Sequence, residues 1–252
     1  MPLAFFGGGF GYYIDPLYLM IFIPVMLVGM ACSWWVKSSF AKWDQVPSGN
    51  GITGAETARR ILEAQGIEGV PVEEVPGDLS DHYDPSKRVV HLSSKVFHGN
   101  SLAAVGVAAH EVGHAIQHAR SYAPLMLRRV MAPAITMSNV VYVILFMIAG
   151  VMYYMRNLQG AYWFAVAGLA CVSAVFLFAV VTLPVEFDAS LRAMTQLRTL
   201  GILDEVELGG VRKVLTAAAM TYVAGAMAAL ATLAYYLIRF GPLLAGGGRR
   251  RD

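Results

Sequence analysis

The chain alternates long apolar runs with short polar connectors. Leu17 to Val36, Val130 to Met155, Gln159 to Val185 and Val214 to Ile238 contain no Asp, Glu, Lys or Arg. A membrane-spanning helix needs about 20 mostly apolar residues, and each run is long enough. Buried helices of a soluble protein would keep a polar stripe, whereas these runs hold only scattered Ser, Thr and Asn. Trp34, Trp35, Tyr153, Tyr154, Tyr162, Trp163, Tyr235 and Tyr236 fall near the run ends, which suits the aromatic belt of a bilayer interface. The pattern predicts about four transmembrane helices, over 17–36, 130–155, 161–183 and 214–238. Pro24 can kink the first of them, and Pro184 ends or bends the third.

The region 37–129 has a different texture, with the charges and the Pro/Gly punctuation gathered there. Thr53 with Glu56 three residues on is a capping-box pattern, and Gly66 is a stop signal. Val70, Val72 and Val75 form one candidate strand and Arg88 to Leu92 another, after the turn-like "DPSK". Asn100 or Ser101 then caps "LAAVGVAAHEVGHAIQHA". The region reads helix, small sheet, helix. The whole is an α-helical integral membrane protein with a small α+β domain. The N-terminal segment, 1–16, has no positive region ahead of its glycines Gly7, Gly8 and Gly9. The first apolar run is therefore expected to be retained rather than cleaved.

Composition agrees with the pattern. The chain is 57% hydrophobic and 14% charged, with mean hydropathy +0.55, against roughly 25% charge in soluble domains. A net charge of +2 gives no reason to expect nucleic acid. The basic tail over 239–252, ending in Arg249-Arg250-Arg251, reads as an anchor beside lipid head groups. Cys32 and Cys171 both lie in apolar runs and cannot build a disulfide framework. A transporter would want ionisable groups or broken helices at the bilayer midplane, and the last three runs offer little of either.

"AAHEVGHAI", at 108–116, carries the chemistry. Residues four apart share a helix face, so His110 and His114 can place two imidazoles on one metal ion. Neutral imidazole is a good zinc ligand. Glu111 can accept a proton from water at the metal's open position while that water attacks a carbonyl. A catalytic zinc takes three protein ligands. His118 lies about 12 Å along the helix from His110, too far for one ion to hold both easily. Glu186 and Asp188, in "LPVEFDASLRAM" (183–194) at the edge of the third apolar run, are the better candidates. Two crossings separate His114 from Glu186, which puts both on one face of the bilayer. Glu186 is the expected third ligand, with Asp188 a competing ligand or charge partner. Tyr83, His82 and Tyr122 are candidates for stabilising an oxyanion. The strand Arg88 to Leu92 could pair its edge with an extended substrate.

The segments "YYIDPLYL", "SDHYDPSKRVVHLS", "AAHEVGHAIQHA" and "LPVEFDASLRA" together resemble the YugP-like neutral zinc metallopeptidases of bacterial membranes. More distantly the chain is similar to gluzincin membrane peptidases of the HtpX type. The resemblance implies a multi-pass bacterial inner-membrane peptidase with a zincin-like catalytic domain. It implies one zinc ion per chain on His110 and His114, Glu111 as catalytic base and a polypeptide as substrate. The wider similarity implies Glu186 as third ligand, with 184–213 as the helical segment carrying it. Those relatives hold an acidic residue four positions after that ligand; this chain has Ser190 there. A non-catalytic scaffold keeping a metal site is the alternative class, and it would not need Glu111. A homo-oligomer or a membrane partner is compatible with the chain. Fourteen of the 19 Lys and Arg fall in the segments on the side of His110 and Glu186, and the positive-inside rule then favours a cytoplasmic-facing site.

Overall fold

The computed structural model describes residues 15–246. The glycines Gly7 to Gly9 and the Arg249–Arg251 run lie outside the described residues. The element order is α1 (Pro16–Trp43), α2 (Gly54–Ala64), β1 (Val72–Val75), β2 (His82–Asp84), β3 (Val89–Ser93), α3 (Ser94–His98), α4 (Leu102–Ala119), α5 (Ala123–Tyr154), α6 (Leu158–Thr199) and α7 (Glu205–Ala245). Among the described residues α1, α6 and α7 are long and apolar enough to cross a membrane. α5 makes a fourth span if its two halves, bent by 42° between Ser138 and Val140, count as one. The chain is a helical membrane protein with a small sheet. Met20, Trp34, Val130 and Met147 lie on these helices with two thirds or more of their surface open. Water would penalise so large an apolar surface, and lipid does not.

The helices fall into two compact units. The first comprises the segments up to Val28, Met131–Val180 and from Gly225 on. Its core stacks Phe146, Tyr236 and Phe240 around Ala149, Ala165, Leu169 and Val172. Gly168 lets the Phe146 ring lie flat on its helix, since a Cβ there would come within 3.0 Å of the ring. The Asp15 carboxylate accepts from the Leu17 amide and from the Tyr235 hydroxyl, so the start of α1 has its donors answered.

The second unit, Gly29–Val130 with Val181–Ala224, holds the sheet and α4. α2 begins with the full capping box. The Thr53 hydroxyl accepts from the Glu56 amide while the Glu56 carboxylate accepts from the Thr53 amide, and these bonds hold the exposed Glu56 carboxyl below its usual pKa. The same helix ends on Gly66 at φ 63, with Gly66 N–H to Glu63 O and Ile67 N–H to Leu62 O, the paired bonds of a Schellman cap. Strand order is β1-β3-β2, with β1 parallel and β2 antiparallel to β3. β3 is thus the central strand and cannot offer a free edge to substrate; the edges belong to β1 and β2. A short hairpin joins β2 to β3. Asp84 accepts from the Ser86 and Lys87 amides, and Arg88 closes the turn at φ 58.

α4 is buried on nearly every side, which explains its apolar, small-residue composition. The Ser101 hydroxyl caps it by accepting from the Ala104 amide. α6 continues unbroken through Pro184, where the sequence suggests an end or a bend. The reason is packing. Val185, Ala189, Ala193 and Leu197 form a fully buried stripe at helical spacing, and its burial outweighs the hydrogen bond that Pro184 removes.

α4 and α6 touch at Gly113. A Cβ there would stand 2.4 Å from the Ala189 carbonyl oxygen, with the Ala189 backbone carbons at 3.1 Å. Backbone cannot yield as a flexible side chain can. Gly113→Ala is therefore expected to cost about 1–3 kcal/mol and to push the segment carrying Glu186 away from the two histidines. Thermal unfolding and metal content of the detergent-purified variant check this. A variant as stable and as metal-loaded as the parent would show that the close approach is not needed.

Candidate metal centre

One turn of α4 separates His110 from His114, and their ring centroids lie 4.8 Å apart. α6 brings Glu186 against both. Its Oε2 stands 3.3 Å from His110 Nε2 and 3.5 Å from His114 Nε2. The carboxylate is 2% exposed, and that oxygen has no hydrogen-bond partner. The other oxygen, Oε1, accepts from Arg128 Nη1 at 2.6 Å. So one carboxylate oxygen is tied to a guanidinium, and the other is left facing two ring nitrogens.

The group behind His114 sets its tautomer. His114 Nδ1 lies 3.0 Å from Gln117 Oε1, an oxygen that can only accept. Nδ1 therefore carries the proton, and Nε2 turns its lone pair to Glu186. Gln117 is fully buried and in turn donates to the Val185 carbonyl and to Asp188 Oδ2. Asp188 accepts from Arg192 as well. His110 Nδ1 meets Ser190 Oγ at 3.1 Å. Ser190 thus stands behind His110, and Asp188 acts one step back from His114, through Gln117. Burial pushes the His114 imidazole down, but Glu186 and Glu111 outweigh it, and its pKa lies above the ordinary value. The position favours a positive charge, which a cation supplies as well as a proton does.

Glu111 is buried and lies close enough to act on His114. Its Oε2 accepts from the Tyr83 amide at 2.9 Å. This bond comes from the free edge of β2, so the edge strand both orients Glu111 and borders the site. Tyr222 of α7 lies beside Glu186, Arg128 and Glu111.

Among the described residues His110, His114 and Glu186 make up the group that could hold a metal ion, with ligand atoms within 4.8 Å of one another. Ligands about 2.0–2.1 Å from a tetrahedral zinc stand roughly 3.3 Å apart. The observed separations, the His114 tautomer and the unpaired oxygen all fit that ion. His118 is not part of the group. Its ring is engaged by Tyr83 and Arg129. Tyr122 instead stacks against the Arg192 guanidinium.

The profile of the family described as "Putative neutral zinc metallopeptidase" matches residues 18–241. The chain belongs to this family. It is also similar to the "Putative membrane protease YugP" of Bacillus subtilis (strain 168), with 44% identity over 225 residues, 88% of this chain and 97% of that protein. No solved structure matches. Family membership implies zinc, and the donor set above is one that takes it.

Sequence reasoning did not find Arg128, Gln117 or Tyr222 as neighbours of the site, whereas it did single out Ser190, four positions after Glu186. Gln117 had a readable signal, since it stands three residues after His114 on one helix face. Arg128 and Tyr222 meet the site only through tertiary packing. Gln117→Leu keeps the volume and removes the Nδ1 bond that orients the His114 ring. Metal affinity is expected to fall about 10- to 100-fold, measurable by competition with a chromogenic chelator. Unaltered affinity would mean that packing alone orients His114.

Proposed function

We propose that this protein is a membrane-embedded zinc-dependent endopeptidase that holds one zinc ion on His110, His114 and Glu186 and uses Glu111 as general base. The observation that carries the reading is Glu186 Oε2, a buried carboxylate oxygen without a hydrogen bond, aimed at two imidazole nitrogens. A buried carboxylate oxygen without a hydrogen bond is expensive, and a shared cation removes that cost. Zinc bound there supplies Lewis acidity toward the scissile carbonyl and a lowered pKa for water.

The chain's own groups do the remainder. Glu111, oriented by the Tyr83 amide, accepts a proton from the attacking water and returns it to the leaving amine. The Arg128 guanidinium binds one Glu186 oxygen and leaves the other to the metal. The outer edge of β2 lines the substrate backbone up by strand pairing. The zincin-like character of the region and its cytoplasmic face belong to the same proposal, the latter from the excess of Lys and Arg around the site.

The test uses detergent-purified protein and internally quenched peptides blocked at both ends. Hydrolysis should be lost on treatment with a zinc chelator and restored by zinc, with one metal ion per chain by elemental analysis. Hydrolysis indifferent to the chelator, or none with zinc restored over a broad peptide panel, would reject the reading.

A further inference from the structure

We infer that Tyr83, Arg88, His118 and Arg129 form an anion-recognising subsite that takes a carboxylate side chain of the peptide substrate close to the scissile bond. This rests on the peptidase reading above and deepens it.

The argument begins with protons. Arg129 Nη1 lies 2.9 Å from His118 Nε2. A guanidinium can only donate, so Nε2 is the acceptor and the proton of the neutral ring sits on Nδ1. His118 Nδ1 is 2.8 Å from Tyr83 Oη, so the phenol oxygen receives that bond and its own hydrogen remains to be donated. The Arg88 guanidinium also acts on both Tyr83 and His118. Burial, Arg129 and Arg88 together hold His118 below its ordinary pKa, in keeping with a neutral ring. Three donors, the Tyr83 hydroxyl and two guanidiniums, thus surround two acceptors, His118 Nε2 and Tyr83 Oη, that are already used.

The charges are as lopsided as the hydrogen bonds. Arg128, Arg192 and Arg198 each pair with a carboxylate. Among the described residues no carboxylate pairs with Arg88 or Arg129. Asp84 acts on Tyr83 from nearby, but its carboxylate is engaged by the Ser86 and Lys87 amides. Arg88 is exposed and Arg129 half-buried, so an incoming anion has access.

Position selects the ligand. Tyr83 is one residue with two roles: its amide holds Glu111 at 2.9 Å and its hydroxyl holds this cluster. A tyrosine side chain is about as long as two residues of extended chain, roughly 6.6 Å. A peptide laid along β2 with its reacting carbonyl at Glu111 would present a side chain to the cluster within about two or three residues. That adjacency favours an acidic peptide over a lipid phosphate, which has no reason to sit beside the base.

The experiment uses matched quenched peptides differing only in Glu or Gln at each position flanking the cleaved bond. The parent protein is expected to prefer Glu at one position by about 10- to 100-fold in kcat/KM, the worth of a charged hydrogen-bond pair. Arg129→Gln should bring that ratio close to one, and Arg129→Lys should restore part of it. A parent ratio near one at every position overturns the subsite. So does an Arg129→Gln protein that loses activity on both peptides equally and keeps the ratio, since that marks a structural role. Binding of fluorescein-labelled Glu and Gln peptides to the Glu111→Gln protein, read by anisotropy, separates the two proposals. Tighter binding of the Glu peptide that depends on Arg129, with no hydrolysis by the parent, leaves the subsite standing and removes the peptidase reading. Equal binding of both removes the subsite. In nanodiscs, if phosphatidylserine displaces the Glu peptide from the parent but not from Arg129→Gln, the cluster is a lipid site and the inference falls.

Discussion

Glu111→Gln is expected to keep its metal and lose its activity. The amide has the shape of the carboxylate and can still accept from the Tyr83 amide, which lies 2.9 Å from Oε2 in the parent, so the contact between β2 and α4 survives. What disappears is the proton acceptor. General base catalysis is worth about 100- to 10,000-fold, and hydrolysis should fall by that factor while elemental analysis still finds zinc. The candidate ligand trio does not include Glu111, so no ligand is deleted in this variant. A Glu111→Gln protein with near-normal turnover would remove Glu111 from the mechanism. A protein that lost zinc along with activity would make Glu111 part of the metal's support instead.

The legible parts of this molecule are those whose physics is local. The apolar runs announce helices because lipid requires continuous hydrophobicity. The capping box at Thr53 and Glu56, the stop at Gly66 and the cap at Ser101 each concern residues within a few positions of one another, and each forms as the spacing suggests. His110 and His114 fall in the same class, because helical spacing alone brings them to one face. Glu186 stood out for another reason: an acid at the edge of an apolar run is costly without a task.

What the sequence hid depends on distant packing. β2 is three residues long between an aspartate and a proline, so it carries a turn's composition; only pairing with β3 makes it a strand. Once it is there, β3 becomes central and the free edge passes to β2. The continuity of α6 through Pro184 also follows from a tertiary stripe rather than from propensity. Arg128 is the plainest case. It lies 58 positions from Glu186 in sequence, and nothing near it in the chain hints that it holds one oxygen of that carboxylate.

That arrangement gives the second large expectation. Glu186→Ala should lose zinc and activity together, and Asp188→Ala should lose less of each. α6 is helical here, so residues two apart point in different directions. Glu186 turns to the two Nε2 atoms, whereas Asp188 turns to Gln117 and Arg192. Removing Glu186 deletes a ligand and also leaves the half-buried Arg128 without its carboxylate beside two histidines, so cation binding is opposed by an uncompensated positive charge. Removing Asp188 only loosens Gln117, and its cost should approach the 10- to 100-fold in metal affinity typical of an orienting partner. Glu186→Gln sharpens the comparison, since it keeps the size and a neutral oxygen but cannot balance both Arg128 and the metal. Its zinc content should lie closer to that of Glu186→Ala than to the parent. Metal content and peptide hydrolysis, measured on detergent-purified variants of verified helicity, decide the matter. Full zinc in Glu186→Ala with loss confined to Asp188→Ala would transfer the ligand role two residues along α6. Full zinc in both would overturn the two-histidine, one-glutamate site itself.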